Sequence, residues 1–310
     1  MMRNTIVIVG SGLMGSGIAA ISALAGNNTV LVDTESSRIE AGIESAKGCM
    51  RELMNHGLAK ENQVKEATKR LSGTDCLEIS LADARMVIEA VYENLKLKQE
   101  LFQKLDSLLP ENIPITSNTS GLRITDIAKN VCHPERTMTT HFWFPAHLVP
   151  LVEVVMSENT DPAMAEFVKE ELAGWGKAPV LVRRDLPGQL ANRILQAVIR
   201  EAVNIVEMGL ASPEDVDTAV KMGMGIRFPA WGPLEHIDAV GLDLCQSVQN
   251  TVLPGISDRR EAAGLFNELI EQGNLGYKTG KGVYDWSVKD MEKLAEKRNQ
   301  FIIGALKLLQ

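Results

Sequence analysis

Thr5-Ile-Val-Ile-Val-Gly-Ser-Gly-Leu-Met-Gly-Ser-Gly17 joins an apolar run to a glycine-rich turn and then to the start of a helical segment. Ile6 to Val9 are all apolar and β-branched, which suits a parallel strand buried on both faces. Gly10, Gly12 and Gly15 follow in the spacing G-x-G-x-x-G. The first permits a tight turn, the second clears space for a pyrophosphate, and the third lets the new helix pack close to its strand. The free N–H groups and positive dipole end of that helix then face the phosphates. Asn28-Thr-Val-Leu-Val-Asp33 adds a second strand, ending in an acid 18 residues after Gly15, where a carboxylate takes both ribose hydroxyls of an adenosine. Asp33 would repel a 2′-phosphate, and no Arg or Lys follows it until Arg38, so NAD is expected rather than NADP. Gly10, Gly12, Leu13, Met14, Gly15 and Asp33 are the expected cofactor contacts.

The 310 residues suffice for two ordinary domains, and 45% hydrophobic with 23% charged residues allows full cores. A formal net charge of −8 argues against a nucleic-acid or anionic-membrane surface, while leaving room for local basic pockets that take an anionic substrate. Cys49, Cys76, Cys132 and Cys245 lack C-x-x-C spacing and a nearby His pattern, so reduced thiols and no metal site are expected. The chain runs straight into its first strand and has no apolar stretch near ~18 residues, which predicts a cytoplasmic protein without signal peptide or membrane span.

Downstream of Asp33, residues 36–54 and 60–71 read as two helices, too long for a minimal crossover and therefore expected as a helical excursion from the sheet. Buried strands are predicted at Met86–Val91, Ile113–Ser117, Thr137–Phe144, Leu151–Met156 and Ala178–Arg183, with helices at Leu95–Leu109 and Pro162–Trp175. Tyr92-Glu93-Asn94 and Asn118-Thr-Ser-Gly121 fall at carboxyl ends of strands, where open α/β sheets place their ligands. Beyond Asp185-Leu-Pro-Gly188 the pattern becomes helical, starting with Gln189–Met208 and ending with Val288–Leu308. The expected architecture is α/β: a doubly wound, mostly parallel Rossmann-type sheet over residues 1–186, followed by an all-α domain over 187–310. The last helix is charged on one side and apolar on the other, which suggests packing on a neighbour; a homodimer is the expectation.

A hydride-transfer enzyme acting on an alcohol needs a base that titrates near neutrality to take the hydroxyl proton. Of the five histidines, His141 ends an apolar strand, and Glu153 lies twelve residues later on the next one. If those strands pair, the carboxylate holds the imidazole in one tautomer and stabilises its charged form. Glu153 is otherwise an acid stranded among Leu151, Val152, Val154 and Val155, a placement that calls for a cation.

Six segments in order resemble the L-3-hydroxyacyl-CoA dehydrogenase family: Gly10-x-Gly-x-x-Gly15, Ala90–Lys98, Ser117-Asn-Thr-Ser-Gly-Leu122, His141-Phe-Trp through Leu151-Val-Glu-Val154, Asp185-Leu-Pro-Gly-Gln-Leu-Ala-Asn-Arg193 and Gly276–Gly282. Together they span nearly the whole chain. The resemblance implies that His141 is the base, Glu153 its orienting partner, and Ser120 and Asn192 hydrogen-bonding groups near the reacting oxygen. It also places Asp33, Glu93, Lys98, Ser120 and Lys278 along the NAD site. Structural roles compete with each assignment: Ser120 could cap the helix that Ile124 opens, Asn192 could be an interhelical polar group, Glu93 and Lys98 a strand-end acid and a solvated helix charge, and Lys278 a loop charge.

Two departures bear on the substrate. Phe144 stands where the family usually has Asn, and the Ser and Lys that touch CoA in acyl-CoA members find only Lys47 and Arg51 as stand-ins here. Gly225-Ile-Arg-Phe-Pro-Ala-Trp-Gly-Pro233 looks more like relatives acting on small free hydroxy acids such as carnitine, gulonate or pyridine carboxylates. Arg227, with Arg183 or Arg184, could hold such a carboxylate in a bidentate fork. The leading expectation is NAD-dependent interconversion of a 3-hydroxyacyl-CoA and its 3-oxoacyl-CoA; the alternatives are a dehydrogenase of a small free hydroxy acid and a non-catalytic NAD-binding structural or sensing protein.

Overall fold

In the computed structural model, which describes residues 4–309, the opening run becomes strand β1 (Thr5–Val9), with all five residues buried. Its side chains alternate between two cores: Ile6 and Ile8 join one apolar cluster, Val7 and Val9 the other. A strand that feeds a core on each face must lie inside a doubly wound sheet. Each such buried side chain contributes about 1.5–3 kcal/mol.

The sheet has eight strands: β1, β2 (Asn28–Val32), β3 (Leu71–Thr74), β4 (Ala84–Glu89), β5 (Ile115–Ser117), β6 (Thr137–Phe142), β7 (Leu151–Met156) and β8 (Ala178–Val182). Their order is β3-β2-β1-β4-β5-β6-β7-β8. Every neighbouring pair is parallel except β6 and β7, which run antiparallel. The order reverses between β1 and β4, so the carboxyl ends of those strands open the crevice where such sheets bind ligands.

Helices α1 (Leu13–Leu24), α2 (Ser36–Asn55), α3 (Glu61–Arg70), α4 (Leu77–Ser80), α5 (Leu95–Leu108), α6 (Ile124–Ile127) and α7 (Pro162–Gly174) connect the strands. Two of them begin at strong caps. Asn94 accepts a hydrogen bond from the Leu97 N–H ahead of α5, and Asp161 accepts one from Ala163 N–H ahead of α7, where Pro162 occupies the first turn.

The α2–α3 segment corrects the expectation of an excursion away from the sheet. The chain returns through β3, which pairs in parallel with β2 at the sheet edge, so α2 and α3 form one long crossover. Leu71-Ser-Gly-Thr74 carries no apolar alternation; Leu71 alone is buried, and Ser72 and Gly73 are exposed. Backbone pairing holds the strand, and the close approach of α2 demands a glycine: a Cβ on Gly73 would stand 2.2 Å from Ile39 Cγ2.

Residues up to Ala191 form one compact unit and those from Asn192 a second. The second holds most of α8 (Ala191–Glu207), then α9 (Pro213–Ala219), a π-helical turn (Val220–Gly225), α10 (Pro233–Val240), α11 (Leu242–Val252), α12 (Gly264–Glu271) and α13 (Met291–Leu309). Among its described residues, Val216, Ala263 and Ile303 are the buried apolar side chains, so its helices keep most of their apolar faces uncovered. Among the described residues no helix is long and apolar enough to cross a membrane.

Candidate active site

The glycine-rich turn is shaped by backbone crowding. Gly10 has φ +110°, a conformation that favours glycine, and a Cβ there would lie 2.5 Å from Ala90 O at the end of β4. At Gly15 a Cβ would lie 1.8 Å from Gly10 O, so this glycine makes room for the turn's own carbonyl before it aids helix packing. A Cβ on Gly12 would meet nothing within 4 Å, which leaves open space above the N-terminus of α1. Asp33, just past β2, accepts hydrogen bonds from Ser11 N–H (2.9 Å) and Ser11 Oγ (2.7 Å) on one oxygen and from Thr34 N–H (2.8 Å) on the other. Burial pushes its carboxyl up, but the bonds from Ser11 and Thr34 outweigh that and hold it below the usual carboxylate range. A cleared turn at a helix N-terminus with an ionised acid at the next strand end fits a dinucleotide.

The next two strand ends are tied together by Glu93. Its Oε1 accepts from Thr119 Oγ1 (2.6 Å), Ser120 N–H (3.1 Å) and Gly121 N–H (3.0 Å). Asn118 Oδ1 accepts from Phe142 N–H at 2.8 Å, pinning the same tip to β6. Lys98 is no solvated helix charge. Its amine donates to Glu89 Oε1 (2.6 Å) and Val91 O (3.3 Å) and lies 3.4 Å from Glu93 Oε2, and its side chain is 1% exposed. Of these partners, Glu93 is the one that also holds the tip carrying Ser120. Glu89 escaped the sequence reading, although an acid inside Met86-Val-Ile-Glu-Ala-Val91 asks for a cation by the same logic as Glu153. Burial pushes the Glu89 carboxyl up despite Lys98, Ser117 and Val91 N–H.

β6 and β7 pair with His141 directly opposite Glu153, which puts both side chains on one face. The His141 Nδ1 lies 2.8 Å from Glu153 Oε2, and its Nε2 lies 3.1 Å from Ser120 Oγ. Glu153 is fully buried and takes three more hydrogen bonds: from Trp143 Nε1 (3.0 Å) and from the N–H groups of Leu190 (2.9 Å) and Ala191 (2.8 Å). Burial alone would raise its carboxyl; these bonds from His141, Ala191, Trp143 and Leu190 reverse that and hold it at about 2. In the neutral imidazole an anionic Glu153 fixes the tautomer, since Nδ1 then carries the proton and Nε2 accepts from the Ser120 hydroxyl. Ser120 is therefore no helix cap; Arg123 precedes the first turn of α6, and Leu122 N–H goes to Thr119 Oγ1.

Residues 5–186 match the NAD-binding domain of 3-hydroxyacyl-CoA dehydrogenase, and residues 188–286 its C-terminal domain. The chain belongs to the 3-hydroxyacyl-CoA dehydrogenase family. As a member of it, the protein is an oxidoreductase that uses NAD. It is similar to the 5-formyl-3-hydroxy-2-methylpyridine 4-carboxylate 5-dehydrogenase of Mesorhizobium japonicum, with 32% identity over 100% of this chain and 99% of that protein. A crystal structure of a dehydrogenase of that pyridine carboxylic acid, described as an NAD+-dependent dismutase, superposes with TM-score 0.90, 31% identity and coverage of 100% of this chain and 99% of the other. The (S)-3-hydroxybutyryl-CoA dehydrogenase of Ralstonia eutropha superposes with TM-score 0.76 at 33% identity, covering 92% of this chain and 99% of that one.

The remaining expected site residues of this 3-hydroxyacyl-CoA dehydrogenase family member are placed by their own elements. Asn192 is the second residue of α8 and half-buried, and Lys278 is exposed in a short 3-10 turn (Tyr277–Thr279); both belong to the helical unit. Lys47 pairs with Glu44 one turn earlier on α2 at 2.7 Å, and Arg51 is exposed on the same helix. Arg183, Arg184 and Arg227 are exposed. Trp143, Ser11, Glu89 and Gln189 are the polar groups of the site that motif reading passed over. Beside the acid signal of Glu89, Trp143 carries one of its own, an indole two residues beyond the candidate base.

Proposed function

We propose that the protein oxidises an alcohol carbon, and reduces the matching carbonyl in reverse, with His141 as the proton acceptor and donor. The hydrogen-bonded chain Ser120–His141–Glu153, at the same carboxyl edge of the sheet as the glycine-rich turn, carries this reading. Gly10, Gly12, Leu13, Met14, Gly15 and Asp33 would hold NAD, which when bound would supply the acceptor for the hydride leaving the alcohol carbon. The substrate hydroxyl replaces or joins the Ser120 hydroxyl at His141 Nε2 and passes its proton there. Glu153 stabilises the imidazolium that results, and Ser120, with Asn192 from the start of α8, orients the oxygen. Glu93 serves by holding the Ser120 tip, and Lys98 by holding Glu93. We assign Lys278 to the cofactor side on the family motif alone.

For the substrate, the whole-length correspondence with a pyridine-carboxylate dehydrogenase favours a small free carboxylic acid over an acyl-CoA, with Arg227, Arg183 or Arg184, each exposed, as the guanidinium that would take the carboxylate. Lys47 and Arg51 are the groups that a CoA ester would recruit. The uncovered apolar faces of the helical unit, including Leu242, Leu244, Val248 and Val252 on α11, support a homodimer built on that unit. A clean monomer in light scattering rejects the dimer.

The deciding experiment measures NADH formation with 3-hydroxybutyryl-CoA beside free L-3-hydroxybutyrate, L-carnitine, L-gulonate and a hydroxymethylpyridine carboxylate. Turnover of free acids alone supports the favoured reading, and turnover of the CoA ester alone replaces it with the acyl-CoA reading. Silence on all five with NADH still bound supports a non-catalytic protein.

A further inference from the structure

Gln189 carries two conformational costs at one point. It has φ +51°, the one left-handed non-glycine residue among those described, and its side-chain oxygen is buried with no hydrogen-bond partner. Glutamine has no intrinsic reason to adopt either state, and such features persist where surrounding structure over-determines them. Both its side chain and the backbone that follows it lead to groups holding Ser120 and Glu153. Its backbone turn, with Gly188 (φ +79°) before it and Gln189 N–H bonded to Leu186 O at 3.0 Å, leads directly into the two N–H groups that hold Glu153 Oε1. Its Nε2 donates to Thr119 O at 3.1 Å. That carbonyl belongs to the peptide whose N–H, on Ser120, is held by Glu93 Oε1. The Thr119–Ser120 peptide is thus gripped on both edges, by Glu93 on its N–H and by Gln189 on its C=O.

We propose that Gln189 is the positioning residue of this site, closing the hydrogen-bonded chain at both ends: its backbone presents Leu190 and Ala191 N–H to Glu153, and its carboxamide fixes the peptide that carries Ser120. The inference rests on the catalytic reading of His141 and Ser120 above. Gln189 bonds to Thr119 and Leu186, so its effect runs through the placement of Ser120 and Glu153.

The test is a double-mutant cycle on kcat between Gln189→Gly and Ser120→Ala. Glycine accepts the left-handed backbone and removes only the carboxamide grip. Gln189→Asn, which also tolerates that backbone and is too short to reach Thr119, is the second variant. Both should lower kcat about five- to tenfold with a smaller change in KM, while thermal unfolding stays within a few degrees. Because Gln189 acts through Ser120, the double variant should be no slower than Ser120→Ala alone. Wild-type kcat in either Gln189 variant, losses that multiply in the cycle, or failure of both variants to fold would overturn the proposal. Full activity in His141→Gln or Ser120→Ala would instead remove the catalytic reading beneath it.

Discussion

The Lys98 amine lies 2.6 Å from Glu89 Oε1, with both side chains sealed from solvent beneath the tip that carries Ser120. A buried charge left without its partner costs more than the pair itself contributes. Lys98→Met should therefore lose about 3–5 kcal/mol of stability in urea denaturation, and adding Glu89→Gln should recover much of it. A single variant as stable as the parent would show that the pair does not hold the strand end.

Glu153 links folding and catalysis. Its carboxyl sits at about 2 against an ordinary 4.5, so the unfolded chain binds more protons between those values. Its stabilisation is complete above about pH 4.5 and is lost as pH falls toward 2, amounting to ~3 kcal/mol. Glu153→Gln should flatten that part of the acid-denaturation curve. In assays it should cut kcat by tenfold or more. The acid limb of the pH profile should move to lower pH, because an amide stabilises the imidazolium less than a carboxylate does. An unshifted limb with full activity would refute the orienting role.

Asp33 is ionised and already aligned by Ser11 and Thr34, with hydrogen bonds of 2.7–2.9 Å. Removing a charged acceptor of ribose hydroxyls costs roughly 1.5–3 kcal/mol, so Asp33→Ala should raise the KM for NAD about tenfold or more while narrowing discrimination against NADP. Unchanged KM values for both cofactors would place the ribose elsewhere.

Lys177 donates to Ala146 O (2.5 Å) and Val149 O (2.9 Å) in the loop between β6 and β7, and burial pushes its amine down to about 7. The unfolded chain then binds more protons between about pH 7 and 10.5, so this residue's contribution to stability rises with pH across that window. Urea midpoints at pH 6 and pH 9 should show the parent gaining on the order of a few kcal/mol relative to Lys177→Met. Parallel slopes for the two proteins would mean that Lys177 stays charged.

The apolar run before Gly10, the glycine spacing, the acid at position 33 and the alternation of strands and helices follow from local chemistry, so the doubly wound sheet and the use of NAD were legible in the sequence. His141 and Glu153 were legible as a pair for the same reason: an acid inside an apolar strand must find a cation, and a short Pro-bounded connection makes the next strand its neighbour. Strand β3 was not, because an edge strand of four residues needs only backbone pairing and leaves no apolar signature. Lys98 was readable as a motif position but its burial was not, since the acid that claims it sits one strand end away. Trp143 on Glu153, Ser11 on Asp33 and the two-sided grip on the Ser120 peptide depend on which backbone and side-chain groups the folded chain brings within 3 Å or so, over separations of ten to seventy residues. Periodicity and spacing record how each segment buries its own apolar face; only the tertiary structure decides which distant polar groups meet to satisfy one another once that burial has removed water.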